Sequence, residues 1–383
     1  MEYDIHNYEE QLHTALHALA TAPISQRNKQ LILEFKRHLI VTDIGTPRIT
    51  RYVFALKMLA RVLDRDFDQA TKDDMMRVIE HLQTCGYKEW TKKTYKGILK
   101  RFYKWLKGND TRYPPEVEWI STGLPRSKRP VPKPEDLLVP NEIPKLIDVC
   151  HNLRDKALIA LLWETGARIS EVGNLTAASI AFDEYGGTVQ LNGKTGPRRI
   201  RIISSVPFLA NWLSTHPLKH TKTAPLWCCL HRHQDEQLNY KTIAKMLQNM
   251  FQKAGIDKKC NPHIFRHSRA TFMAKHLTEF QMNQYFGWVQ GSAMPSTYVH
   301  LSGKDMDAAV LKLNGIEIGN NESDTAPQAT VCVRCKRLNP TSAELCCACG
   351  MMLESDPQDP ENVPSTLRHA NQPQVHTVLP SAP

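Results

Sequence analysis

Seven prolines fall between residues 112 and 140, at positions 114, 115, 125, 130, 132, 134 and 140. Proline lacks a backbone donor and fixes φ, so neither a helix nor a central strand runs through such a stretch. Whatever the chain folds into is divided there. The same stretch carries Arg126, Lys128, Arg129 and Lys133, which makes 112–140 a stiff, basic linker able to lie along a polyanion.

The two sides of this divide differ in pattern. Residues 1–111 read as helix almost throughout. Apolar residues recur at helical spacing through Leu31, Leu33, Phe35 and Leu39, through Tyr52, Leu56, Leu59 and Leu63, and through Met76, Val78, Ile79 and Leu82. Thr71 followed by two aspartates marks a helix start, and Gly86 a stop. The last helix, Thr91 to Gly108, has an apolar face of Tyr95, Ile98, Leu99 and Phe102 and a second face of Lys96, Lys100, Lys104 and Lys107. A lysine ridge of this kind suits phosphate contact; a solvated face is the blander alternative.

After the linker, residues 141–316 mix helices with a short sheet. Thr188 to Ile203 reads as strand, turn and strand, with Gly193, Lys194 and Gly196 in the turn. Helices are expected over 155–164, 170–175, 241–254, 263–276 and 279–286. The fold class is mainly α with a small antiparallel β-sheet, α+β.

Lysine and arginine number 49 against 39 acids, a formal net charge of +10, which favours a polyanionic partner such as nucleic acid. No run of eighteen apolar residues exists, so no membrane partner is expected. The polar, acidic first residues are unlike a secretory signal. A cytosolic, nucleoid-associated setting follows, where stable disulfides are rare.

Five of the ten cysteines crowd between 332 and 349. Cys332-x-x-Cys335 and Cys346-x-x-Cys349 are two knuckles at a distance that closes a tetrahedral zinc site, leaving Cys347 spare. Four thiolates leave no open position, so such a zinc is structural. Residues 331–353 are therefore expected to form a zinc ribbon, and the proline-rich 354–383 a disordered tail.

Cleaving a phosphodiester without a metal requires a nucleophile, cationic donors for the nonbridging oxygens and an acid for the leaving oxygen. Arginine suits the second role because its planar fork grips phosphate bidentately. Three segments supply these types: T-G-A-R-I-S-E-V with Arg168, P-H-I-F-R-H-S-R-A-T with His263 and Arg266 one helical turn apart, and S-T-Y-V-H-L with Tyr298. Lys194 lies between them at a hairpin tip. Taken singly, each residue has an ordinary structural explanation. Together and in order, they point to strand cleavage.

These segments resemble the motif boxes of the tyrosine recombinase (phage integrase) family, in its Xer-like, archaeal form. T-G-A-R-I-S-E-V is similar to the first-arginine box, H-I-F-R-H-S-R-A-T to the H-x-x-R-H box, Y-F-G-W-V-Q-G-S-A-M-P-S-T-Y-V-H-L to the final box, and N-G-K-T-G to the hairpin lysine. The resemblance covers residues 1 to about 315. It implies a two-domain DNA clamp: a helical core-binding domain at 1–111, the linker at 112–140 and a catalytic domain at 141–316. It implies that Tyr298 attacks the scissile phosphate to give a 3′-phosphotyrosyl bond, that Arg168 and Arg266 hold the phosphate oxygens, and that Lys194 protonates the departing 5′-oxygen. His263 then helps move the tyrosine proton. Trp288 stands where many relatives keep a histidine and still offers an indole N–H. Glu171 and His267 resemble supporting residues. No cofactor serves catalysis in such an enzyme. The implied partners are double-stranded DNA and further copies of the chain, assembled as a tetramer on DNA. The segment Gly303 to Ile318 is expected to form a helix that docks on a neighbouring subunit or packs on its own domain. The rival readings are a non-cutting DNA-binding protein on the same fold and a type IB topoisomerase.

Overall fold

A computed structural model of the protein describes residues 3–108, 111–125, 133–230, 235–299, 310–311, 313–314, 330–339, 346 and 351–353. Arg126, Lys128, Arg129, Cys347, Cys349, most of 303–318 and the tail 354–383 lie outside them. The chain divides into two compact units, Met1–Lys133 and Pro134–Pro383.

The first unit is built from α1 (Tyr8–Ala20), α2 (Gln26–Val41), α3 (Thr46–Leu63), α4 (Lys72–Thr84) and α5 (Glu89–Leu106). Local chemistry sets several starts. The Ser25 hydroxyl accepts the Asn28 N–H at the head of α2, and Thr71 and Asp74 form a reciprocal capping box at the head of α4. The expected apolar faces meet in one core, with Phe35, Tyr52, Leu56, Leu59, Leu82, Leu99 and Phe102 all buried. Two positions differ from expectation: Leu33 and Met76 are exposed, and Met75 is the buried methionine of α4. A two-residue offset turns a side chain to the far side of a helix, so Leu31 and Phe35 bury while Leu33 does not.

Val117 and Ile120 are buried in the same core, although they belong to the proline-rich stretch. Proline content marks where regular structure stops, and packing continues past it as turns. The second unit opens on a 3₁₀ turn at Pro134–Asp136 and buries Leu137 and Leu138 straight after.

The second unit contains α6 (Glu142–Asp148), α7 (Leu153–Thr165), α8 (Ile169–Gly173), β1 (Ile180–Asp183), β2 (Gly186–Gly193), β3 (Gly196–Ile202), α9 (Val206–Thr215), α10 (Tyr240–Lys253), α11 (His263–Met273), α12 (Glu279–Phe286) and α13 (Met294–Val299). The three strands form an antiparallel sheet in the order β1-β2-β3. The β2–β3 hairpin pairs Gly193 with Gly196, which puts Lys194 and Thr195 at its tip. β1, α6 and α9 add to the elements anticipated from sequence. Every residue from Arg154 to Thr165 in α7 is buried except Lys156, so this helix is wrapped all round and shows no amphipathic stripe. Its Glu164 is buried yet satisfied: its carboxylate accepts the backbone N–H groups of Ile203, Ser204 and Ser205 and the Ser205 hydroxyl. That carboxylate ties the segment between β3 and α9 to α7.

A separate two-stranded hairpin, β4 (Thr330–Val331) with β5 (Leu338–Asn339), stands near the C-terminus. No helix among the described residues is long and apolar enough to cross a membrane.

Candidate active site

The site is built around the turn that ends α12. Thr278 and Gln281 cap the start of that helix, and Gly287, at φ +60°, closes it in the left-handed region. The carbonyls of Phe286 and Gly287 then face three groups from elsewhere in the unit. Arg266 donates to Phe286 O at 2.7 Å. Arg168 donates to Gly287 O at 3.4 Å. The Thr195 hydroxyl of the hairpin tip donates to the same oxygen at 3.0 Å. Three motifs that lie far apart in sequence therefore converge on two adjacent carbonyls.

Arg168 occupies the residue before α8, just past Gly166, whose φ is +55°. A Cβ on Gly166 would stand 2.8 Å from the Phe286 ring and 2.9 Å from Arg269 Cβ, so the chain can turn from α7 into the site only with glycine here. Glu171 accepts the Arg168 backbone N–H at 2.9 Å and its guanidinium at 2.7 Å. A second arginine, Arg198 of β3, grips the same carboxylate bidentately at 3.0 and 2.7 Å. Burial alone would push the Glu171 carboxyl up, but Arg198 and then Arg168 outweigh it and hold the group below the usual carboxylate range.

Arg266 is the most enclosed cation, 4% exposed. Besides Phe286 O it donates to Gly166 O at 3.2 Å, and its guanidinium lies 5.3 Å from the ring centroids of Phe286 and Trp288. Burial and the nearby Arg168 charge bring its pKa down to about 10, which leaves it protonated at neutral pH.

Tyr298 of α13 is 1% exposed. Its ring stacks on Trp288 at 5.5 Å and 4°, and its hydroxyl is 2.9 Å from Nδ1 of His267. Burial pushes the Tyr298 pKa up, and the Arg266 charge opposes that rise. His267 is held below its ordinary value by burial, then by His263 and Arg266, so the neutral ring is favoured and can accept a proton.

Five of the six expected catalytic residues thus lie in one neighbourhood. Arg168, Arg266, Trp288 and Tyr298 are joined by the contacts above, and His263 at the head of α11 has its ring 6.2 Å from that of His267. His263 is exposed while Arg266, on the next turn, is buried, so the two do not share an environment. The sixth, Lys194, stands exposed at the hairpin tip, tethered to the site through its neighbour Thr195. Sequence reasoning named His267 only as a support, yet it is the direct partner of the tyrosine hydroxyl. It missed Arg198. In P-R-R-I-R every second residue faces inward on a strand, and only the buried Ile200 and Ile202 reveal which phase applies.

The lysine ridge of α5 is engaged within its own unit. Lys100 donates to the carbonyls of Glu118 and Ile120 at 3.1 and 2.9 Å. Lys107 pairs with Glu116 at 3.1 Å, and Lys100 and Lys104 lie over the Tyr113 ring at 4.3 and 5.9 Å. Lys96 is half-buried.

Near the C-terminus, the thiols of Cys332, Cys335 and Cys346 all lie within 4.8 Å of one another, with Cys335 and Cys346 3.5 Å apart. Zinc–sulfur bonds of ~2.3 Å in a tetrahedron place sulfurs roughly 3.8 Å apart, so three thiols at this separation fit one ion. The Lys336 N–H donates to Cys332 O, and Lys336 has a φ of +58°, folding the first knuckle tightly around its two cysteines.

The profile of the Phage integrase family matches residues 136–304. The chain carries a phage integrase family domain. Over 291 residues the chain is 26% identical to the tyrosine recombinase XerA of Pyrococcus furiosus, an alignment spanning 75% of this chain and 95% of that protein. A XerA from Pyrococcus horikoshii is 24% identical over 292 residues, with 76% and 95% covered. Among solved structures, a XerH site-specific recombinase in a post-cleavage complex on palindromic difH substrate is similar with a TM-score of 0.58 and 17% identity, over 82% of this chain and 100% of that one. A lambda integrase dimer bound to a COC′ core site gives 0.55 and 15%, over 70% and 76%. The integrase domain thus shares its fold with these proteins, and the small antiparallel sheet among helices is part of that fold.

Proposed function

We infer that this chain is a site-specific tyrosine recombinase that breaks and rejoins double-stranded DNA through a 3′-phosphotyrosyl intermediate. One observation carries the reading: the Tyr298 hydroxyl sits 2.9 Å from a histidine ring, on an indole that also lies against the buried guanidinium of Arg266. A nucleophile, a proton acceptor and a fixed cation stand side by side. In the reaction, Tyr298 Oη bonds to phosphorus and its proton leaves toward His267 or His263. Arg266 and Arg168 take up the charge that grows on the nonbridging oxygens. The bond to the 5′-oxygen breaks, and Lys194 supplies the proton that oxygen needs. Rejoining reverses each transfer.

Tyr298 is covered in the free protein, so DNA must enter with a shift of the short α13 that uncovers it. Arg126, Lys128, Arg129 and the ridge of Lys96, Lys100, Lys104 and Lys107 are the basic groups proposed to contact the DNA backbone, and a tetramer on paired sites is the proposed working assembly. Cys332, Cys335, Cys346 and Cys349 would hold a structural zinc outside the reaction, in a chain proposed to work in the cytoplasm on the nucleoid. A complete cleavage set disfavours the non-cutting alternative.

The test is a duplex nicked beside the cleavage point, which lets the cut fragment diffuse away. Wild type should accumulate a detergent-resistant protein–DNA adduct, while Tyr298→Phe retains DNA and forms none. An adduct with Tyr298→Phe would refute the assignment. Chelation with EDTA should leave adduct formation intact as long as measured zinc content is unchanged.

A further inference from the structure

The β2–β3 hairpin carries a buried ion pair, and it is not made by the lysine at its tip. Arg198 leaves β3 four residues after Lys194 and turns inward, with its side chain 9% exposed. Its Nη1 and Nη2 hold the two oxygens of Glu171, and its Nε donates to Tyr285 O at 3.0 Å. The fit around it is close on both sides. A Cβ on Gly193, the residue before Lys194, would stand 2.3 Å from Glu171 Oε1. A Cβ on Gly287 would stand 2.8 Å from Arg198 Nη1. Glycine at both places lets the hairpin tip and the α12 turn press onto the Glu171–Arg198 pair.

We propose that Arg198 is a positioning residue for strand cleavage: its ion pair with Glu171 anchors the hairpin against the start of α8, so that Lys194 is presented to the leaving 5′-oxygen. The proposal rests on the recombinase reading above. Its physical basis is order. Lys194 itself is exposed and at a turn, where a long side chain sweeps a wide volume. Holding its strand by a planar, bidentate, buried pair fixes the backbone from which that side chain reaches before DNA arrives.

A leaving-group test separates this role from general damage. A 5′-bridging sulfur departs as a thiolate, which needs no proton from Lys194. On ordinary DNA, Arg198→Ala should slow adduct formation by roughly 10- to 100-fold, the range for lost supporting contacts. On the sulfur-bridged substrate it should return to within about threefold of wild type, as Lys194→Ala does, whereas Arg168→Ala stays slow on both because it acts on the phosphate oxygens. Arg198→Lys, which keeps the charge but not the fork, should fall between wild type and Arg198→Ala, and it carries the test if the alanine variant does not fold. Equal slowing on both substrates, or no slowing on either, overturns the proposal. Failure of wild type to form any adduct would instead sink the recombinase reading itself.

Discussion

The α5 ridge and the catalytic pocket are both cationic, and they use charge in opposite ways. On α5, Lys100 and Lys107 are tied to carbonyls and a carboxylate of their own unit, holding the 113–120 segment in place. In the pocket, Arg168 and Arg198 share one carboxylate, and Arg266 rests on two carbonyls. There three guanidinium groups meet one carboxylate, so the fixed charge exceeds what its partners neutralise. Regular spacing of basic residues therefore identifies a face, while the balance of partners identifies what the face is for.

The largest way to break this contrast is at the pocket. Arg266→Ala and Arg168→Ala should each lower the rate of adduct formation by roughly 10² or more, the cost of removing a donor to a developing oxyanion. They should differ in stability. Arg266→Ala leaves the buried carbonyls of Gly166 and Phe286 without that donor and should cost ~1–3 kcal/mol, whereas the half-buried Arg168 should cost less. Chemical denaturation of both variants checks this, and equal destabilisation would contradict the separate roles.

The cysteine cluster gives the next effect. About one zinc per chain is expected. Cys335→Ser should lower metal content, and Cys347→Ser should leave it unchanged. Equal loss from both variants would show that the knuckle register is wrong.

On α5, Lys100→Met should destabilise the first unit by ~1–2 kcal/mol through its lost carbonyl contacts. Lys96→Met should leave stability within ~0.5 kcal/mol and instead reduce the salt dependence of DNA binding by about one unit of slope. Binding curves at several salt concentrations decide it; the reverse pattern would collapse the distinction between the two lysines.

The smallest effect is in pH. A carboxylate whose pKa is lowered on folding contributes stability above the ordinary carboxylate range and loses it as pH falls through its folded value. Glu171 is such a group. The melting-temperature gap between wild type and Glu171→Gln should therefore be full at neutral pH and shrink only below the ordinary carboxylate range. A gap that is independent of pH would mean the lost stability is not ionic.

Much of this was legible in the sequence because it is local. Helical periodicity found the first unit's core, the glycine-rich turn placed Lys194 at a hairpin tip, and T-G-A-R put Arg168 at the start of a helix. The rest depended on contacts between distant segments. Nothing near Arg198 says that it reaches Glu171, 27 positions earlier. Nothing in S-T-Y-V-H says that Tyr298 finds His267 and not His263. Proline density in 112–140 announced the end of helix but concealed the burial of Val117 and Ile120, since a turn can fill a core without any period to betray it.

The central claim is that Tyr298 is the residue joined to DNA. Its most direct test is to trap the adduct on the nicked duplex, digest the protein, and sequence the DNA-linked peptide by mass spectrometry. A single modified residue is expected, Tyr298, joined to the 3′-phosphate of the DNA. Attachment at another side chain, such as Tyr285, whose hydroxyl is already bonded to Glu164 O at 2.7 Å, would contradict it.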